Sequence, residues 1–120
     1  MGIDLAEEAI RQGEHRVDDR VEFLVSDAEA YQPAERWDAI VFNESVYFFD
    51  APIDTVLRYR DALSEGGTLI VSTYRHATFR FRSRRGESIA KKLVERLPLF
   101  EEVAVTTSRG TWLIQVFRPG

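Results

Sequence analysis

The sequence predicts an α/β fold, a three-layer sandwich whose mainly parallel sheet closes with a C-terminal antiparallel hairpin. Three observations predict it. Short apolar runs alternate with helix-period segments, in the order strand, helix, strand, short helix, strand, helix, strand, helix, hairpin, and such alternation builds parallel sheets covered by helices. The run Ala39-Ile40-Val41-Phe42, closed off by Asn43-Glu44, is β-branched and aromatic, as in a strand buried on both faces. The last two apolar runs flank the tight turn Arg109-Gly110, so they should pair as a hairpin.

Each element has its own justification. Met1-Gly2-Ile3 is a short strand-like piece ending at Asp4. Leu5 to about Gln12 reads as a helix with Ala6, Ala9 and Ile10 on its inner face. Asp4 and Glu7 have capping-box spacing, and Gly13 is the expected C-terminal cap. Val17-Asp18-Asp19-Arg20 is a charged connector, and Val21–Val25 is a second strand ending in Ser26-Asp27. Ala28–Gln32 forms a short helical turn bounded by Pro33. After the central strand comes an apolar patch, Val46–Phe49. Pro52 suits a helix's first turn, and Ile53, Val56, Leu57, Arg60 and Leu63 mark that helix's inner face up to Gly66-Gly67. Thr68–Thr73 is another buried-type strand. The loop Tyr74–Gly86 interleaves Arg75, Arg80, Arg82, Arg84 and Arg85 with Phe79 and Phe81. A helix from about Glu87 to Leu97 buries Ile89, Ala90, Leu93, Val94 and Leu97; strands Phe100–Ser108 and Thr111–Phe117 finish the chain.

The totals narrow the function. A chain of 120 residues holds one core, so residues 1–120 are expected to form one domain. A net charge of −4 gives no global attraction to nucleic acid or an anionic membrane. Without cysteine there is no disulfide or thiolate metal site, and two histidines make a His-based metal site an unexpected feature. No apolar run reaches the roughly 20 residues of a membrane helix, and a cytoplasmic setting is the default expectation. In open parallel sheets, ligands bind beyond the carboxyl ends of the strands, which makes Asn43 and Glu44 the expected centre of a site.

With these residues laid out, the chain resembles the class I S-adenosylmethionine-dependent methyltransferases of the Rossmann-like, small-molecule type. The matching pieces are Gly2–Ala6, Phe23–Ala28, Trp37–Glu44 and Leu63–Val71, in order and at the right spacing. The resemblance implies S-adenosylmethionine as cofactor and methyl transfer to a small molecule. It implies that Asp4 accepts hydrogen bonds from the ribose hydroxyls. Asp27 would meet the adenine amino group, and the Ala28 N–H a ring nitrogen. Asn43 would lie beside the methionine part of the cofactor, Tyr47, Phe48 and Tyr74 on the acceptor side. Asn43 and Glu44 are the catalytic candidates, Glu44 as a general base. No metal is implied.

Plainer roles stay open beside these. Asp4 and Asp27 also suit capping of the turns that follow them, and Asn43 suits the backbone groups of a strand end. Tyr47, Phe48 and Phe49 also suit a core or subunit contact. The arginine loop suits either an acidic ligand or a solvated lid.

One departure matters. The family opens with a strand and a G-x-G-x-G turn that lets the backbone approach the cofactor. Here no glycines have that spacing, and the chain starts inside what would be the second strand. The expected fold is therefore a methyltransferase-like Rossmann fold missing its first strand. The second and fourth strands of such a sheet have open backbone edges, at roughly 1–3 kcal/mol for each buried unpaired amide. Three remedies are open: a strand lent by another copy in an intertwined dimer, a shift of Met1–Leu5 or Val21–Val25 into the gap, or origin as a piece of a longer enzyme; a truncated chain that survives as a homodimer is the expected one. The alternative function is a non-catalytic domain acting in assembly or partner binding.

Overall fold

The computed structural model describes residues 1–16, 18–78 and 84–120. The chain folds as two compact units, Met1–Gln32 and Pro33–Gly120.

In the first unit, β1 (Gly2–Asp4) and β2 (Phe23–Val25) pair in parallel, with Gly2 opposite Phe23 and Asp4 opposite Val25. Helix α1 (Glu7–Gly13) connects them and runs on into a 3-10 turn, Glu14–Arg16. The Phe23 ring explains two glycines. A methyl group on Gly2 would stand 2.8 Å from the ring, and one on Gly13 would stand 3.1 Å from it. Of the expected inner face of α1, Ile10 is buried while Ala6 and Ala9 are exposed. The capping box does not form. Instead the Asp4 carboxylate accepts the Ala6 N–H at 2.8 Å, an Asx-type turn that leads the chain into the helix. Gly13 is no cap either, because the backbone stays right-handed at Glu14.

The second unit is a four-stranded sheet in the order β3-β4-β6-β5, from β3 (Trp37–Asn43), β4 (Leu63–His76), β5 (Leu99–Thr106) and β6 (Gly110–Phe117). β3 and β4 are parallel; β6 runs antiparallel to both β4 and β5, and the expected hairpin is present. Helix α2 (Pro52–Arg60) stops before Gly66-Gly67, contrary to expectation. Those glycines lie inside β4, where the pairing jumps from Trp37–Leu63 to Ala39–Thr68. Gly66 takes a positive φ of 75°, which few other residues tolerate. Helix α3 spans Arg84–Arg96. Tyr74–His76 therefore belong to β4 and Arg84–Gly86 to α3, not to a loop. Phe79, Arg80, Phe81 and Arg82 lie outside the described residues.

Side chains alternate across a strand, so the register sorts this sheet into two faces. One face carries Phe42, Leu69, Val71 and Phe117, all buried, and α2 and α3 contribute Val56, Tyr59, Ile89 and Leu93 to the same core. The inner face of α2 is turned relative to expectation, with Thr55, Val56 and Tyr59 buried and Ile53 and Leu57 only partly so. Tyr59 sets that rotation by packing edge-on against Phe42, with ring centres 5.2 Å apart. Along α3, Ile89, Ala90 and Leu93 are buried as expected, as is Leu97 just past its end, while Val94 is exposed.

The other face is apolar yet open. Val41 is 58% exposed, Val103 41% and Val105 46%. β3 is thus not buried on both faces, and among the described residues its one strand neighbour is β4. A short apolar run cannot reveal whether a second layer covers it. Val41→Thr is accordingly expected to change unfolding stability by less than about 0.5 kcal/mol in urea. A loss of 1 kcal/mol or more would mean that Val41 is packed.

No helix among the described residues is long and apolar enough to cross a membrane.

Candidate functional site

The first unit places two carboxylates at the carboxyl ends of adjacent parallel strands. Asp4 ends β1, and Asp27 follows β2 by two residues. The strands stay paired to this point, because the Ser26 N–H donates to the Asp4 carbonyl at 3.0 Å. Each acid uses one carboxylate oxygen to fix its own turn. Asp4 Oδ1 accepts from Ala6, and Asp27 Oδ1 accepts from the Glu29 N–H at 2.9 Å. The Asp27 carbonyl also receives the Ala30 and Tyr31 N–H groups, which forms the expected turn. Both side chains are exposed, and the Oδ2 atom of each has no hydrogen-bond partner among the described residues. Turn-fixing and ligand-binding are therefore compatible at both positions. Ala28 is half-buried in the same turn.

In the second unit, Asn43 and Glu44 stand at the carboxyl end of β3, beside Ser72 of β4. The Ser72 hydroxyl donates to Asn43 Oδ1 at 2.9 Å. The Glu44 N–H is shared between the Ser72 carbonyl and hydroxyl, each at 3.1 Å. Glu44 has a φ of 49°, the one positive value at a non-glycine residue among those described. Such a backbone costs on the order of 1 kcal/mol and persists where its surroundings enforce it. Here the bonds to Ser72 enforce it, and they turn the Glu44 side chain toward β6. Trp112 Nε1–H donates to Glu44 Oε1 at 3.2 Å, and the Trp112 ring packs on Tyr74 at 4.7 Å.

Tyr47 and Phe48 follow in a 3-10 turn, Val46–Phe48, with their rings 5.0 Å apart. Phe48 is 79% exposed and Tyr47 half-buried. Arg85 of α3 secures this turn by donating to the carbonyls of Tyr47, at 2.9 Å, and of Phe49. Asn43 and Glu44 thus come together with Tyr74 through Ser72 and Trp112, while Tyr47 and Phe48 form a separate aromatic pair linked to Glu44 by its charge.

Burial and the nearby Glu44 carboxylate both raise the Tyr47 phenol above the ordinary tyrosine value of 10.0. The folded phenol therefore holds its proton more tightly than the unfolded one. Its contribution to stability is complete below pH 10 and is lost as pH rises through the folded value. In a titration followed by tyrosinate absorbance, Glu44→Gln is expected to lower this phenol's pKa part of the way back. An unchanged titration would remove Glu44 from its surroundings.

Ser72, Arg85 and Trp112 were not singled out by the sequence. Only Tyr74 hints at Trp112, and only after the β4–β6 register pairs them. A separate recess of about 550 Å³ between the start of α2 and α3 is lined by Asp50, Asp54, Arg84, Arg85 and Lys92. None of the expected site residues lines it. Among the described residues, no group of three or more His, Asp or Glu could hold a metal ion.

Comparisons with known proteins bear on the family and the fold. A family model described as a methyltransferase domain matches residues 1–71. The N-methyltransferase NodS from Bradyrhizobium japonicum, crystallised with S-adenosyl-L-homocysteine, superposes with a TM-score of 0.76 at 25% identity, covering 98% of this chain and 64% of that enzyme. A putative methyltransferase from Haloferax volcanii, in complex with the Trm112 methyltransferase activator, gives 0.73 at 18% identity, with coverage of 98% and 70%. An rRNA methylase from Streptococcus thermophilus gives 0.68 at 15% identity, with coverage of 98% and 72%. None of the curated proteins matches this chain.

The fold is that of a class I, Rossmann-like S-adenosylmethionine-dependent methyltransferase. The chain belongs to the methyltransferase domain family, and it spans less than two thirds of the length of NodS.

Proposed function

We propose that this chain serves methyl transfer from S-adenosylmethionine to a small-molecule acceptor. The observation that carries the reading is the pair of acids at the ends of β1 and β2. Each keeps one carboxylate oxygen beyond the oxygen that fixes its turn. In this reading Asp4 accepts from the ribose hydroxyls and Asp27 from the adenine amino group, with the Ala28 N–H toward a ring nitrogen. Carboxylates suit such donors because they accept on both oxygens and offer none of their own. Asn43 faces the methionine part, its Oδ1 held by Ser72. Tyr47, Phe48 and Tyr74 line the acceptor side, and Glu44 is the candidate base. When bound, the cofactor supplies an electrophilic methyl group on a sulfonium and needs no metal. What this chain adds is orientation, which counts for much of the rate in a two-reactant displacement.

Calorimetric titration with S-adenosylhomocysteine tests this. Saturable heat that weakens on Asp4→Ala and again on Asp27→Ala is expected. No heat at millimolar ligand would defeat the reading for this chain.

A second reading, a non-catalytic role in assembly, is favoured by the open apolar face carrying Val41, Val103 and Val105. The occupant would be a second copy, as the open strand edges suggest, or a separate protein, as with the activator bound to the Haloferax relative. Light scattering at several concentrations separates these: a dimer supports the first occupant, and a monomer throughout supports the second or neither.

A further inference from the structure

Glu44 is a half-buried carboxylate, and among the described residues no lysine, arginine or histidine pairs with it. Other acids of this chain differ. Glu8, Asp18, Asp61 and Glu87 each sit within 4.0 Å of an arginine, and all are exposed. A carboxylate drawn partly out of water without a cation is at a disadvantage unless something positive completes it. The structure nevertheless holds Glu44 in place with some backbone strain, through its N–H to Ser72 and its Oε1 to Trp112. Oε2 has no partner among the described residues. Around this charge stand aromatic rings, Trp112 against Tyr74 and then Tyr47. All three are only partly buried, so a solute can reach them.

We propose that Glu44, Trp112 and Tyr74 form a recognition site for an amine, so that the methyl acceptor is an amine rather than an alcohol or an acid, bound as its ammonium ion and giving up one proton, to Glu44 or to water, before its freed nitrogen lone pair takes the methyl group. The meaning of "acceptor" rests on the methyl-transfer reading; the site itself does not. An ammonium group offers N–H donors to Glu44 Oε2 and a cation to the ring faces. An alcohol offers a weaker donor and no charge, and a carboxylate would be repelled by Glu44. Trp112 has two parts in this. Its N–H fixes one oxygen of the acid, and its ring, backed by Tyr74, presents a π-face.

The test uses the full chain with Trp37→Phe, which leaves Trp112 as the sole tryptophan and a direct fluorescent reporter. Benzylammonium, benzyl alcohol and phenylacetate are titrated without cofactor. Saturable quenching by benzylammonium is expected, with benzyl alcohol roughly tenfold weaker and phenylacetate weaker still. Glu44→Gln should remove most of the ammonium preference and leave the alcohol nearly unchanged. Equal binding of ammonium and alcohol in the unsubstituted site would overturn the proposal, and that comparison stands even where Glu44→Gln does not fold. A preference that survives Glu44→Gln in a folded variant would overturn it too. Failure here alongside saturable heat from S-adenosylhomocysteine removes the amine and leaves methyl transfer. Success here with no such heat leaves an amine site and removes methyl transfer.

Discussion

Replacing Phe117 with alanine will lower the stability of the second unit by about 3–5 kcal/mol, the usual cost of emptying a phenylalanine-sized space in a core. Phe117 is fully buried and lies in the central strand β6, opposite Leu69 on one side and Leu99 on the other. Helix α3 is tied to the sheet here by a buried hydrogen bond from Gln115 Nε2 to the Ala90 carbonyl, 3.1 Å long, so the space cannot close freely. Urea unfolding followed by far-ultraviolet circular dichroism will show the loss as a lower midpoint at an unchanged slope. A cost below 1 kcal/mol would mean that the packing of Phe117 is wrongly described.

Gly110→Ala will be nearly as damaging, by about 3 kcal/mol, for the opposite reason of overfilling. A methyl group there would overlap the Arg75 carbonyl and stand 2.6 Å from the Tyr74 hydroxyl. The carbonyl belongs to the β4 backbone, which pairs with β6 at this point, so it cannot swing away. Tyr74 would have to move, and its bond to the Arg109 carbonyl and its packing on Trp112 would go with it. The signature is therefore double: a lower urea midpoint and, in the folded protein, a red-shifted Trp112 emission. Stability loss without a spectral change would detach Gly110 from the aromatic cluster.

These two positions show what the sequence could and could not convey. The apolar runs that became β3, β4 and β6 are legible because their patterns are local. Asp4, Asp27, Asn43 and Glu44 were legible as strand-end polar residues for the same reason. Which face of β3 is covered is not local; it depends on layers contributed from elsewhere, and so no pattern around Val41 shows that its side is open. The end of α2 is not legible because a Gly-Gly pair usually marks a helix stop, whereas Gly66-Gly67 accommodates a jump in strand register. The Glu44–Trp112 bond joins residues 68 positions apart, and no pattern in either segment announces it. Arg85 looked like one basic residue among several, and only the placement of α3 beside the Val46–Phe48 turn gives it its two carbonyl partners.

The central claim is that a nucleotide-type cofactor uses the carboxyl ends of β1 and β2 in the first unit. The direct measurement is a ¹⁵N–¹H correlation spectrum of the whole chain titrated with S-adenosylhomocysteine. The amides of Leu5-Ala6 and Ala28-Glu29 should shift together along one binding curve. Shifts confined to the recess lined by Asp50 and Arg84, or no shifts at saturating ligand, would contradict it.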